Sequence, residues 1–186
     1  MNRTILKLLL ILAALAFSGP LLSSGTDPAF DHINVEFELL DHEGNPFTQS
    51  DLRGKYVLLA FGFTHCQHIC PMMAAKMGMA LKIADKDATG VFISVDTERD
   101  TPAITNAYAS GFSESMMGLS GSYEQVREAA NHFGISFVVT KSQKAYTVEH
   151  TSDIFLIDPE GKVIEVFALS APPGVIAAKM NRAASE

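Results

Sequence analysis

The run Tyr56-Val57-Leu58-Leu59-Ala60-Phe61 contains no charged residue and stops at Gly62. A continuous apolar run of strand length fits a strand buried on both faces. Such a strand needs covering layers above and below, so the rest of the chain must supply helices. After a loop over residues 64–70, Pro71 fits the first position of a helix running to about Asp85. Residues 91–95 form a second buried strand, and Met116-Met117 belongs to a short one. Thr101-Pro102 reads as an N-cap and first helical residue of a helix ending near Gly111. Ser122 to Gln125 fits a capping box, and Gly134 closes the helix that follows.

The remaining elements are strands and one helix. Residues 35–39 alternate apolar and acidic and read as a strand, followed by a turn over 41–46. Residues 135–140 read as another strand. Residues 154–157 and 162–168 flank Asp158-Pro159-Glu160-Gly161 and predict a hairpin. Pro172-Pro173 opens a last helix. Early strand–helix alternation with a late hairpin predicts an α/β fold, a mixed central sheet flanked by helices. No linker interrupts residues 27–186, so they are expected to form one domain.

Residues 1–26 have a different character. Arg3 and Lys7 precede an unbroken apolar run over residues 8–17, then Ser18-Gly19-Pro20 and the small residues Ser23-Ser24-Gly25. This is the order of a secretory leader. Apolar character resumes at Leu21-Leu22, so an uncleaved membrane anchor is the alternative, although Lys7 and Gly19-Pro20 keep the run short of the roughly twenty residues a spanning helix needs. The arginine- and serine-rich pattern of a mitochondrial transit peptide is absent, so the expected location is the periplasm, either exported or anchored to the inner membrane. Without Arg3 and Lys7, 12 basic and 21 acidic residues remain, a net charge of −9. That surface repels nucleic acid.

The only cysteines are Cys66 and Cys70. They follow the buried strand and lie at the mouth of a helix, where open α/β sheets bind ligands. A helix N-terminus favours the thiolate, which is both metal ligand and redox nucleophile. Four-residue spacing permits either a disulfide or two ligands on one metal. A purely structural bridge closing so small a loop removes little unfolded-state entropy.

The sequence resembles the Sco/SenC family of copper proteins over about residues 35–170. Three segments carry the resemblance: Phe61-Gly62-Phe63-Thr64-His65-Cys66 continuing to Cys70-Pro71; Val95-Asp96-Thr97-Glu98-Arg99-Asp100-Thr101-Pro102; and Tyr146-Thr147-Val148-Glu149-His150-Thr151 with Ile154-Phe155-Leu156-Ile157-Asp158-Pro159. The resemblance implies a thioredoxin-like fold and a copper site made by Cys66, Cys70 and His150. Between its cysteines the family usually carries Pro and Asp, where this chain has Gln67 and His68. The loop before the strand at 154–157 faces the cysteines in thioredoxin-like folds and normally presents a cis-proline; here Thr151-Ser152 stands there and His150 takes over that loop's role.

Two thiolates and an imidazole suit copper, Cu(I) or Cu(II). Zinc accepts the same donors, with His65 or His68 as a fourth ligand. His65 is expected to orient the loop and His68 to be solvated. Met73, Met77 and Leu81 recur at four-residue spacing and predict a buried helix face rather than copper ligands. Asp96 is a candidate neighbour of the metal or a cap, and Asp100 with Thr101 is expected to cap the next helix.

The resemblance further implies a metallochaperone that delivers copper to the binuclear copper site of a respiratory cytochrome oxidase, its partner being the copper-accepting subunit. The alternative is a thiol-disulfide oxidoreductase that uses Cys66 and Cys70 as a redox-active pair to reduce the cysteines of that same site.

Overall fold

The structure is a computed structural model and describes residues 28–142 and 146–183. The leader or anchor expected at residues 1–26 lies outside the described residues. Among those described, no helix is long and apolar enough to cross a membrane.

Five strands make the central sheet: β3 (Tyr56–Gly62), β4 (Ala88–Ser94), β5 (Met116–Leu119), β8 (Ile154–Ile157) and β9 (Val163–Phe167). Their order is β5-β4-β3-β8-β9. β3, β4 and β5 run parallel, while β8 is antiparallel to β3 and β9 to β8. This is the expected mixed sheet with its late hairpin. All seven residues of β3 are buried, and they alternate between two cores as the pleat requires. Val57, Leu59 and Phe61 face one core, shared with Val126, Ala129 and Phe133 of helix α3 (Tyr123–His132) and its C-cap. Leu58 and Ala60 face the other, which contains Cys70, Met73 and Met77 of α1 (Ile69–Ile83) and Ile176 and Met180 of α4 (Pro173–Ala183). Helix α2 (Pro102–Ser110) packs on β5.

The methionine expectation holds. Met73 and Met77 have no exposure, whereas Met72 and Met79 lie on the open face of α1. The expected caps of α2 and α3 also form: Thr101 accepts from the Ile104 N–H, and Ser122 makes a capping box with Gln125.

Three elements differ from expectation. The first strand, β1 (Glu38–Leu40), starts later than residue 35 and pairs with β2 (Pro46–Thr48), the two joined through a turn in which Asp41 Oδ1 accepts from the Glu43 and Asn45 N–H groups. Helix α1 begins at Ile69 rather than Pro71. A proline third in a helix is tolerated because its missing N–H would have had no partner inside the helix. Cys70 therefore sits in the first helical turn rather than in the loop. Finally, residues 146–150, to which the sequence assigned no element, form strand β7 (Tyr146–His150), which pairs antiparallel with β6 (Phe137–Lys141) in a sheet of its own. The run Tyr146-Thr147-Val148-Glu149-His150 does alternate, but it is five residues long with a single aliphatic residue, too short a signal to mark a strand.

Gly118 in β5 is where α2 comes closest to the sheet. A Cβ there would lie 2.2 Å from the Thr105 carbonyl oxygen and 2.3 Å from its carbon. Because helix backbone cannot yield locally, Gly118→Ala is expected to destabilise the protein by about 2–3 kcal/mol. Urea unfolding should report this as a lower midpoint with an unchanged slope.

Candidate metal centre

The cysteine loop leaves the carboxyl end of β3 at Gly62. A side chain at that point would be 2.6 Å from the Phe92 ring and 3.2 Å from the Cys70 sulfur, so glycine is what lets the sulfur lie against the strand. Cys70 is fully buried, Cys66 is partly exposed, and both are free thiols. The Cys70 N–H points at the Cys66 Sγ, 3.5 Å away.

The two thiols differ in acidity. Burial raises the pKa of Cys66, but the backbone N–H groups of Cys70 and His68, the Cys70 thiol and the Ile69 N–H together more than offset it, and the result lies below that of an ordinary thiol. Those N–H groups open α1 and have no acceptor within the helix, so a thiolate is a fitting partner. Cys70 is pushed up to about 12, first by burial and then by the adjacent Cys66 sulfur.

His150 ends β7, opposite Phe137. Its Nδ1 lies 2.7 Å from the Thr151 carbonyl oxygen. A carbonyl only accepts, so Nδ1 carries the hydrogen and Nε2 keeps its lone pair. That lone pair meets the Cys70 Sγ at 3.3 Å. Burial lowers the His150 pKa, partly offset by the Thr151 bond, so the ring is neutral at neutral pH. The edge-on Phe63 ring, 5.8 Å between centroids, packs against it. The structure thus brings Cys70 and His150 together across 80 residues of sequence. Cys66 adjoins Cys70, but the three ligand atoms do not all fall within 4.8 Å of one another.

Asp100 does not cap α2 as expected. It is fully buried and fastens the cysteine loop: its carboxylate accepts from the Thr64 N–H at 2.8 Å, the Thr64 hydroxyl at 2.6 Å and the Ser94 hydroxyl at 2.6 Å. His65 Nδ1 lies 3.3 Å from the same carboxylate, in keeping with a loop-orienting role. Thr101 alone provides the cap. Asp96 is also fully buried, with its carboxylate taken by Arg99 Nε at 2.5 Å and the Tyr146 hydroxyl at 2.6 Å. His65, Asp96 and Asp100 place ligand atoms within 4.8 Å of one another, but both carboxylates are already committed to these donors. His68 is exposed at the N-cap of α1 and makes no capping bond.

Sequence reasoning missed Tyr108. Its hydroxyl is buried and, among the described residues, has no hydrogen-bond partner. It packs beside Phe92 in the same core as Cys70, and its acidity is depressed by burial and then by the charges that Cys70 and Cys66 can carry. A buried donor without a partner among the described residues, in the core that holds the Cys70 sulfur, fits surroundings where that sulfur becomes anionic. No sequence pattern marks it.

The SCO1/SenC family model matches residues 25–185. The "Protein sco1" of Schizosaccharomyces pombe is 39% identical over 139 residues, which is 70% of this chain and 53% of that protein. The chain spans about half the length of such fungal relatives. Bradyrhizobium japonicum ScoI, solved with copper bound, is 34% identical with a TM-score of 0.69, covering 81% of this chain and 98% of that one. BsSco, a member of the Sco family of cytochrome c oxidase assembly proteins in which a disulfide switch was identified, is 25% identical with a TM-score of 0.66, covering 87% and 98%. The thioredoxin-like architecture is shared with these structures.

The thiol asymmetry is directly measurable. In the reduced, metal-free protein, limiting iodoacetamide should modify Cys66 and spare Cys70. The rate should rise with pH as Cys66 becomes thiolate, with a midpoint below 9.0. Peptide mass analysis after quenching at successive pH values would show the order.

Proposed function

The chain belongs to the SCO1/SenC family, and from that premise we propose that it is a copper carrier: Cys66, Cys70 and His150 hold one copper ion outside the cytoplasm and pass it to the binuclear copper site of a respiratory cytochrome oxidase. The observation that carries this reading is the 3.3 Å approach of the His150 Nε2 lone pair to the Cys70 sulfur, with the ring fixed by Thr151. Residues 1–26 would take the domain to the periplasm as a cleaved leader or an inner-membrane anchor.

Soft thiolates with imidazole favour copper. Loading displaces the thiol protons, while His150, already neutral, supplies a lone pair without releasing one. The Cys70–His150 pair is preformed, and the partly exposed Cys66 closes onto the metal by a small loop movement. Unloading follows in reverse. A cysteine of the acceptor binds the copper and gives up its proton as the Cys66 sulfur leaves and takes one up. Exposure makes Cys66 the first ligand to be exchanged and buried Cys70 the last.

A second reading rests on the unequal thiols. An acidic, accessible Cys66 with a buried Cys70 behind it is the arrangement of an attacking and a resolving thiol. Cys66 thiolate would attack a disulfide of the acceptor; Cys70, losing its proton, would then attack Cys66, releasing the acceptor's dithiol and leaving Cys66–Cys70 oxidised by two electrons.

His150 separates the two. The reduced protein is expected to retain about one copper per chain by metal analysis, with zinc retained less tightly. His150→Ala should weaken copper binding by at least about tenfold while leaving the rate of dithiol exchange within about twofold. Copper retention unchanged by the substitution would leave the oxidoreductase reading standing alone.

A further inference from the structure

Strands β6 and β7 are not hydrogen-bonded into the central sheet. A two-stranded hairpin is marginal by itself, so side-chain contacts must decide where its last residue, His150, comes to rest. β7 turns one face to the body: Tyr146, Val148 and His150 are partly buried, while Thr147 and Glu149 are exposed. Val148 packs on the core, and His150 meets Phe63 and Cys70. At the other end, the Tyr146 hydroxyl donates to Asp96 Oδ1 at 2.6 Å.

Asp96 is fully buried and its second oxygen is held by Arg99 Nε at 2.5 Å, while the Arg99 guanidinium lies over the Tyr146 ring, 4.0 Å from its centroid. The three side chains therefore close on one another. Tyr146 is pushed up to about 12, by burial and then by Asp96, so its hydroxyl remains a donor throughout the working range. The surface pair Lys141–Glu98 is exposed and adds little.

The same short segment also reaches the cysteines. The Asp100 N–H donates to the Asp96 carbonyl at 2.9 Å, and the Asp100 carboxylate fastens Thr64 and His65, next to Cys66. One carboxylate thus holds the hairpin that carries the imidazole, and the other holds the loop that carries a sulfur.

We propose that Asp96, Arg99 and Tyr146 form a latch that positions His150 over the cysteine pair, so that residues 96–100 set the separation between imidazole and sulfur. This rests on the reading of His150 as a copper ligand. The lever is long: four residues of strand, roughly 13 Å, separate Tyr146 from His150. Releasing the Tyr146 end leaves the imidazole to its contacts with Phe63, Cys70 and Thr151, and the hairpin to Val148, Phe137 and the Ser136–Thr151 bonds.

The test uses the full chain and Tyr146→Phe, which removes one hydroxyl and keeps the ring under Arg99. Asp96→Asn, which keeps an acceptor for Tyr146 but removes the charge facing Arg99, is the second variant. In the metal-free protein, hydrogen exchange of the Thr147 to His150 amides is expected to quicken about tenfold in Tyr146→Phe, while β3 amides stay as they were. Cu(I) affinity, read in competition with a chromophoric chelator, should fall about tenfold, and the nitrogen signature of the Cu(II) form should weaken. Thiol exchange at Cys66 should not change. Unaltered hairpin exchange in both variants would overturn the latch, whatever the metal does. Quicker exchange with unaltered affinity would overturn its positioning role. If the wild-type chain retains no copper while hairpin exchange quickens, the latch stands and the copper-carrier reading falls.

Discussion

A carboxylate removed from water must be repaid by hydrogen bonds or it takes up a proton. Asp100 has no exposure, and the groups that satisfy it come from elsewhere in the chain: Thr64 before the cysteines and Ser94 at the end of β4. Its cost of burial is therefore offset only when the cysteine loop sits where it does. The position of the cysteine loop follows from that requirement, and with it the place where α1 starts. Asp96, four residues earlier, imposes a similar requirement on the β6–β7 hairpin.

This arrangement explains why two cysteines four residues apart behave differently. Cys66 lies where unpaired N–H groups of α1 converge, and they favour its anion. Cys70, one turn on, points into an apolar core beside Phe92 and keeps its proton, which faces the His150 lone pair. On the proposed reading a soft cation would take the place of that proton with the ring already oriented, because Nδ1 is tied to Thr151. The same asymmetry suits thiol exchange, so on the proposed reading copper binding and redox chemistry would compete for one pair of sulfurs.

Much of the framework was legible from residue order. The apolar run ending at Gly62, the caps at Thr101 and Ser122, the late hairpin and the buried methionine stripe carry their signals within a few residues, because strand and helix periodicity are local properties. The pair of cysteines at a helix mouth was legible for the same reason. Helix α1 was misplaced by two residues because proline is compatible with several first-turn positions, and β7 was missed because its alternating run is only five residues long and has a single aliphatic residue.

By itself, then, the sequence determined an α/β chain with a doubly buried central strand and two thiols beyond its end. Tertiary structure decided which groups those thiols meet. The contact between Cys70 and His150 and the commitment of Asp100 to the loop rather than to a cap join residues from separate elements. No local pattern encodes such contacts. They exist because packing the sheet places distant segments side by side, and buried polar groups there must find partners among whatever the fold delivers.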